Sequence, residues 1–181
     1  SLYEVVGVER LVHRSTISDI RDLEALVGAL EGADPDIIVH MAAQSLVRAS
    51  YREPLETLAV NVIGTANVLQ AARRCQRLRA VIVVTSDKCY ENSEGHRPYQ
   101  ESDPLGGRDP YSASKACAEI VTAAYARSFL WRREGSVGGP VAVASARMPT
   151  SVLPPAGQGT ISVTGRAGKL CASAVPLQAA R

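Results

Sequence analysis

The sequence predicts a doubly wound α/β domain built on a parallel sheet, because continuous apolar runs alternate with helical patterns along the chain. In three runs, DIIVHMAA (36–43), AVIVVTSD (80–87) and VAVASAR (141–147), the apolar residues are continuous rather than alternating, as expected of strands covered on both faces. Apolar residues three or four apart fill the segments between them. The order strand, helix, strand, helix, strand indicates parallel strands with crossover helices.

The first crossover segment, residues 53–74, predicts an amphipathic helix with Pro54 in its first turn. Its inner face is expected to carry apolar residues at helical spacing: Leu55, Leu58, Val62, Ala66 and Leu69.

The second crossover helix is predicted to begin with Asp109 as its cap and Pro110 in its first turn, and Gly135 can end it. Upstream, residues 15–20 predict the end of a short strand. A helix should follow, with Leu23, Leu26 and Leu30 facing inward. Residues 148–181 are rich in Gly, Pro, Ser, Thr and Ala and predict an irregular tail, so the predicted domain spans residues 1–147.

Composition narrows the class of function. The chain has 181 residues, 46% of them hydrophobic and 21% charged, which is typical of one globular domain with a sizeable core. A net charge of +2 with scattered basic residues argues against a nucleic-acid partner and favours a small molecule. The sequence has no apolar run that would span a bilayer and no signal-peptide pattern.

The cysteines indicate the compartment. Four are present (Cys75, Cys89, Cys117 and Cys171), with no CxxC pair and no histidine at metal-ligand spacing. They are predicted to be reduced thiols, and the protein is expected to be cytoplasmic and to hold no metal.

Polar side chains follow two of the predicted strands. His40, Gln44 and Ser45 come after the first, and TSDK (85–88) ends the second. Because ligands bind beyond the carboxyl ends of parallel strands, both groups are candidates for one crevice. A core histidine and an ordinary polar turn are the alternative interpretations.

YSASK (111–115) lies in the first turns of the next helix. A spacing of four places Tyr111 and Lys115 on one helical face. A nearby ammonium favours phenolate and lowers the pKa of a tyrosine, so the pair can form a general base. A YxxxK pattern is common by chance, but its position on the helix after TSDK strengthens it.

The ordered motifs SDIRD, HMAAQ, NVIGT, VTSDKCYEN and DPYSASKACAE resemble the extended short-chain dehydrogenase/reductase superfamily, and within it the CDP-glucose 4,6-dehydratases. The resemblance runs from about residue 1 to residue 147. Superfamily relatives acting on dTDP-glucose carry Thr-Asp-Glu at the equivalent strand end, whereas this chain has Lys88 in the third place. The resemblance implies a Rossmann-type domain.

The resemblance also implies NAD as cofactor and a nucleotide sugar as substrate. Tyr111, helped by Lys115, would take the proton of the sugar 4-hydroxyl, beside Ser86, while hydride passes from C4 to NAD. Asp87 and Lys88 would then assist loss of water across C5 and C6, and the hydride would return to C6. A cationic Lys88 cannot act as a base unless its pKa is well depressed. The cofactor-lining positions would be Asp19, Ile20, His40, Ala42, Ala43, Asn61, Thr85, Tyr111 and Lys115.

Two departures from the family stand beside this resemblance. No glycine-rich, phosphate-binding turn precedes SDIRD, and residues 148–181 replace the expected sugar-nucleotide-binding segment. The chain is therefore expected to be incomplete at both ends and to lack the first strand. An epimerase or reductase of the same superfamily remains an alternative, as does an inactive remnant or interaction module.

Superfamily relatives pair through the helix that contains Tyr111, so a homodimer is a further expectation. Ala118, Val121, Ala124 and Tyr125 are candidates for that face, although core packing explains them equally well.

Overall fold

The computed structural model describes residues 12–91, 99–131, 139–148 and 172–174, together with residues 5, 7 and 10. Its elements in chain order are α1 (Leu23–Ala33), β1 (Ile37–His40), α2 (Val47–Arg52), α3 (Pro54–Leu58), α4 (Gly64–Ala72), β2 (Ala80–Ser86), α5 (Pro110–Tyr125), β3 (Ala142–Met148) and β4 (Ala172–Ala174). Three short turns complete the list: a π-helical turn (Ala59–Ile63) between α3 and α4, a 3-10 turn (Asp87–Cys89) after β2, and a π-helical turn (Ala126–Leu130) after α5.

The sheet has the order β1-β2-β3-β4. β1, β2 and β3 are parallel, with His40 opposite Val83 and Thr85 opposite Arg147. The predicted parallel sheet with flanking helices is therefore confirmed. β4 pairs antiparallel with β3 and lies in the predicted irregular tail, so the expectation is wrong for Ala172–Ala174. Met148, the first residue of that tail, ends β3, while residues 149–171 and 175–181 lie outside the described residues. The domain boundary at residue 147 stays a prediction.

The core lies between the helices and one face of the sheet. Ile38, Val81 and Val83 point to this face and pack with Leu69 of α4 and Leu130. The neighbouring strand positions point the other way, since side chains alternate along a strand. Ile37 and Val39 are accordingly 59% and 54% exposed. The expectation that the strands are covered on both faces is thus wrong for β1 within the described residues, because the described helices pack on the face that carries Ile38.

The first crossover helix departs from its predicted face. Pro54 begins it as expected, but the π-helical turn adds a residue and shifts the helical phase. The buried positions of its first half are polar, Thr57 and Asn61, whereas Leu55 is 81% exposed. The prediction that Leu55 faces inward is wrong, and the prediction for Leu69, which is fully buried, is confirmed.

The predicted start of α5 is confirmed. Asp109 has extended backbone and accepts a hydrogen bond from Ser112 N at 3.0 Å, and Pro110 occupies the first turn. Asp109 Oδ2 also accepts from Ser112 Oγ at 2.6 Å. The expected end at Gly135 lies outside the described residues.

The amino-terminal expectations are met in part. Residues 15–20 contain no strand, because the described residues place no strand alongside them with which to form a ladder. The chain instead turns here, with Asp22 N donating to Asp19 O at 3.0 Å. α1 follows as predicted, and its Leu26 and Leu30 pack against the core. None of the helices described is long and apolar enough to cross a membrane.

Gly107 allows the loop before α5 to lie against the first turn of that helix. A Cβ at this position would overlap backbone atoms, the N of Ala113 and the C of Ser112. Backbone atoms of a helix cannot move aside cheaply, so the loop position depends on the missing side chain.

We therefore expect Gly107→Ala to lower the free energy of unfolding by about 1–3 kcal/mol through overpacking. Gly28→Ala is the matched control, because Gly28 lies inside α1 with open space around it. That substitution should raise the free energy of unfolding by up to about 1 kcal/mol through helix propensity. Urea denaturation measures both, and equal effects of the two substitutions would contradict the packing described.

Candidate active site

Tyr111 lies beside the end of β2. Its side chain and that of Ser86 are buried, 8% and 4% exposed, and the two are joined by a hydrogen bond. Ser86 Oγ also donates to Asp87 Oδ1 at 3.1 Å and accepts from Lys88 N at 3.2 Å. The 3-10 turn therefore places Asp87 near the phenol, whose pKa its charge raises, and Lys88 follows in the same turn; both are half-buried. The structure brings Tyr111, Ser86 and Asp87 together, and these three residues are called the Tyr111 cluster below.

The pKa of Tyr111 is raised above its usual value of 10.0, first because burial disfavours the phenolate. The hydrogen bond with Ser86 lowers it, whereas the negative charges of Asp87 and Asp109 raise it further. The structure thus shows a raised pKa for Tyr111, where the sequence predicts a lowered one, because burial outweighs the hydrogen bond from Ser86.

The ammonium of Lys115 points toward β2 instead, where Nζ donates to Val84 O at 3.4 Å. The side chain is 7% exposed. Burial lowers the pKa of Lys115, and the charge of Glu119 raises it. An ammonium has three donor protons, so this group can still donate to a ligand hydroxyl.

A buried ion pair lies one helical turn beyond Lys115. Glu119, 5% exposed, accepts from Arg147 Nε and Nη2 of β3, each at 3.1 Å. Thr85 Oγ1 of β2 donates to the same carboxylate, so the side chain of this predicted cofactor-lining residue is turned toward α5. Arg147 Nη1 donates to Tyr90 Oη at 2.5 Å.

Glu119 and Arg147 were missed by the sequence analysis. The spacing of four between Lys115 and Glu119 places them on one face of α5 and could have indicated the first residue. Arg147 ends an apolar strand, which is the position already used to select TSDK.

His40 is buried at the end of β1. Its Nε2 lies 3.0 Å from Thr65 Oγ1, which itself donates to Asn61 O at 2.6 Å. The threonine proton is thus already used, so His40 Nε2 is assigned as the donor to Thr65. Burial and then the charge of Lys115 lower the pKa of His40 to about 4. The residue is therefore a buried neutral histidine that also faces Lys115.

Asn61 joins the loop after β1 to α5. Its Oδ1 accepts from Gln44 N at 2.8 Å, and its Nδ2 donates to Gln44 O at 3.0 Å and to Ser114 Oγ at 2.8 Å. Asn61 is 2% exposed and lies in the π-helical turn. Its amide therefore fixes the first turns of α5, and with them Tyr111, to the loop that follows β1.

The remaining predicted cofactor residues border other elements. Asp19 holds the Arg21 guanidinium at 2.6 Å, and Ile20 packs against Gly64 of α4. Ala42 is exposed and Ala43 half-buried in the loop after β1. No described contact joins Asp19, Ile20, Ala42 or Ala43 to Tyr111, so their place in a cofactor site stays a prediction.

The described cysteines Cys75, Cys89 and Cys117 are not joined by disulfides. Within the described ranges, no group of three or more His, Cys, Asp or Glu side chains is arranged to hold a metal ion. Burial raises the pKa of Cys89 to about 12, so this thiol stays protonated beneath the site.

A family model places this arrangement among known proteins. Residues 8–133, well over half of the chain, match the family model described as GDP-mannose 4,6 dehydratase. The CDP-glucose 4,6-dehydratase of Salmonella typhimurium is 47% identical over 129 residues, covering 71% of this chain and 36% of that protein. The dTDP-glucose 4,6-dehydratase of Mycolicibacterium smegmatis is 38% identical over 132 residues, 71% of this chain and 37% of its own length. The chain therefore belongs to the GDP-mannose 4,6 dehydratase family.

Solved structures agree with this assignment. A dTDP-glucose 4,6-dehydratase from Streptomyces venezuelae, solved with NAD bound, is 38% identical with a TM-score of 0.56, covering 61% of this chain and 33% of that one. A UDP-glucose 4-epimerase from Thermus thermophilus, in complex with NAD, is 28% identical with a TM-score of 0.60, covering 72% and 39%. The chain thus spans little more than a third of the length of the relatives it matches.

The environment of His40 predicts a pH-dependent stability. Its folded-state pKa of about 4 lies below the unfolded value of 6.5, so the unfolded chain binds the proton more tightly. Neutral His40 therefore makes its full contribution to the free energy of unfolding above about pH 6.5. That contribution is lost as the pH falls toward 4, and the total loss is about 3 kcal/mol. Urea denaturation across this range should show the loss for wild type and a smaller one for His40→Asn. If the free energy of unfolding fell equally steeply with pH in wild type and in His40→Asn, the neutral buried histidine would be contradicted.

Proposed function

We propose that this chain carries the catalytic helix and strand ends of a CDP-glucose 4,6-dehydratase. The observation that carries the proposal is the contact of Tyr111 with Ser86, directly beside Asp87 and Lys88. A tyrosine and lysine alone would serve an epimerase or reductase, whereas a neighbouring carboxylic acid is what removal of a hydroxyl as water requires. The relative at 47% identity supports CDP-glucose as the sugar nucleotide.

The chain's own residues fit NAD. The buried ammonium of Lys115 retains donor protons that suit the hydroxyls of a ribose, and Tyr111 lies one helical turn from it. The small side chains Ala42 and Ala43 allow a flat ring to approach the end of β1. Bound NAD would supply the redox chemistry, taking hydride from the sugar and returning it.

The protein groups would handle the protons. Tyr111 as phenolate accepts the proton of the sugar 4-hydroxyl, and Ser86 hydrogen-bonds the same oxygen as the C4–H bond breaks and a ketone forms. The ketone makes the C5 proton acidic. Asp87 in its acid form donates a proton to the 6-hydroxyl, so the C6–O bond breaks and water leaves. The C5 proton would pass to Lys88 in its neutral form, and the ammonium formed would stabilise the enolate and return the proton to C5 when hydride returns to C6.

The function requires Tyr111 to ionise although burial raises its pKa. Lys115 could favour the phenolate only by moving its ammonium from Val84 O toward the phenol. We infer that substrate and cofactor binding bring about this movement.

We further propose a homodimer through α5, but on a different face from the predicted one. Ala118 is 2% exposed, and Val121 and Tyr125 pack against the core, so three of the four predicted contact residues point inward. Ile120 of α5 and Ile63 beside α4 are instead 58% and 55% exposed. Sedimentation of the wild-type chain as a monomer at all attainable concentrations would contradict the dimer. We also propose a cytoplasmic location, which the described thiols outside disulfides support.

Turnover of CDP-glucose tests the proposed reaction. With NAD present, mass spectrometry should detect a product one water lighter than the substrate. Tyr111→Phe should slow its formation by about 10²–10⁴-fold, because the general base is lost. Tyr51→Phe is the matched control, since Tyr51 is 66% exposed and lies on α2.

Asp87→Asn separates the dehydratase from an epimerase. It should stop the loss of water and leave the 4-keto sugar with its 6-hydroxyl intact, because the acid is removed but the base is kept. An epimerised sugar from wild type, or wild-type activity in Asp87→Asn, would contradict the dehydratase. A folded chain without turnover would favour the remnant.

A further inference from the structure

We propose that Glu119 is a positioning residue that ties α5 to the carboxyl ends of β2 and β3 and keeps the neighbouring Lys115 as a cation. Its carboxylate touches neither substrate nor cofactor in the proposed function, and only the catalytic consequence rests on that function. The structural and electrostatic parts stand on the described residues alone.

The contacts of Glu119 join α5 to two strands. Oε1 accepts from Thr85 Oγ1 of β2 and from Arg147 Nε of β3, while Oε2 accepts from Arg147 Nη2. The two Arg147 contacts form a bidentate pair, which fixes orientation as well as distance. A carboxylate that is 5% exposed is costly to bury without such partners. One side chain therefore clamps α5 against both strand ends.

The clamp extends to the residues of the site. Thr85 immediately precedes Ser86, whose hydroxyl contacts Tyr111. Arg147 donates to Tyr90 Oη at 2.5 Å and lies 4.9 Å from the centre of that ring, so it also holds the chain after the 3-10 turn. Movement of Glu119 would therefore displace both sides of the Tyr111 cluster.

Titratable and polar groups from several elements surround Lys115. Tyr111 and Glu119 lie on the same helix as Lys115, His40 faces it from β1, and the carbonyl of Val84 in β2 accepts its hydrogen bond. Arg147 reaches Glu119 from β3. In the part of the chain described, Glu119 is the acidic group that raises the pKa of Lys115, and burial opposes it. The cation of Lys115 thus depends on a carboxylate that it shares with Arg147.

The charge state of Lys115 can be measured directly, because the chain has only three lysines, Lys88, Lys115 and Lys169. We would label the lysine ε-carbons with ¹³C, assign the Lys115 signal from Lys115→Met, and follow its pH titration by NMR in the 181-residue chain. Glu119→Gln should lower the pKa of Lys115 by about 1, equivalent to roughly tenfold weaker proton binding. An unchanged or higher pKa would overturn the proposal.

The direction of the shift separates charge from packing. If Glu119 only held the fold together, its loss would expose Lys115 and raise the pKa toward the usual 10.5. Thr85→Val is the matched control, because it removes one hydrogen bond and keeps both charges. It should leave the pKa of Lys115 unchanged, and a fall equal to that of Glu119→Gln would overturn the proposal.

A second variant, Arg147→Met, tests the proposal if Glu119→Gln does not fold. Arg147→Met frees the carboxylate of Glu119 from its competing cation, so the pKa of Lys115 should rise, and a fall or no change would overturn the proposal. No nucleotide or sugar is present in these titrations. Failure of the proposed dehydratase activity would therefore leave their outcome unaffected, and the two claims fail separately.

Discussion

The parallel pairing of β1, β2 and β3 is the constraint on which the site depends. It brings the carboxyl ends of all three strands to one edge of the sheet, so that His40, Ser86 and Arg147 lie near each other although they are far apart in the sequence. A parallel connection needs a long crossover, and the crossover after β2 delivers α5 to that edge. Tyr111 and Lys115 occupy the first turns of this helix. The meeting of these residues at one edge is thus a consequence of strand direction.

Buried polar groups then fix the position of α5 at this edge of the sheet more closely than apolar packing could. Asn61 ties the loop after β1 to α5, and Glu119 with Arg147 ties α5 to β2 and β3. In a low-dielectric surrounding such groups are stable only when each has its partner, so displacement of one leaves another unsatisfied. The arrangement favours one geometry for Tyr111 and Ser86, which a site for general acid and base chemistry requires.

The features that could be predicted from sequence are those set by local spacing. The cap at Asp109, the first turn at Pro54 and the shared face of Tyr111 and Lys115 each follow from residues within one or two turns of a helix. The strand positions follow from runs in which apolar residues are continuous rather than alternating. Polar residues at the end of β2 could also be recognised, because strand ends in parallel sheets are where ligands bind.

The features that were missed depend on distant contacts. Leu55 is exposed because a π-helical turn shifts the helix phase, and no local pattern signals that turn. The pairing of Glu119 with Arg147 joins residues 28 positions apart. The pKa of Tyr111 is raised rather than lowered because burial outweighs its neighbours and Lys115 donates to Val84 O. Spacing on a helix gives proximity but not the direction of a side chain.

The central claim is that the edge holding Tyr111 and Lys115 is an NAD site, and isothermal titration calorimetry of the folded 181-residue chain with NAD tests it most directly. We predict saturable binding at micromolar strength that Lys115→Met clearly weakens. Lys88→Met is the matched control, because it also removes a lysine but leaves Tyr111 and Lys115 in place. A folded wild-type chain that binds no NAD, or a Lys115→Met chain that binds as tightly as wild type, would contradict it.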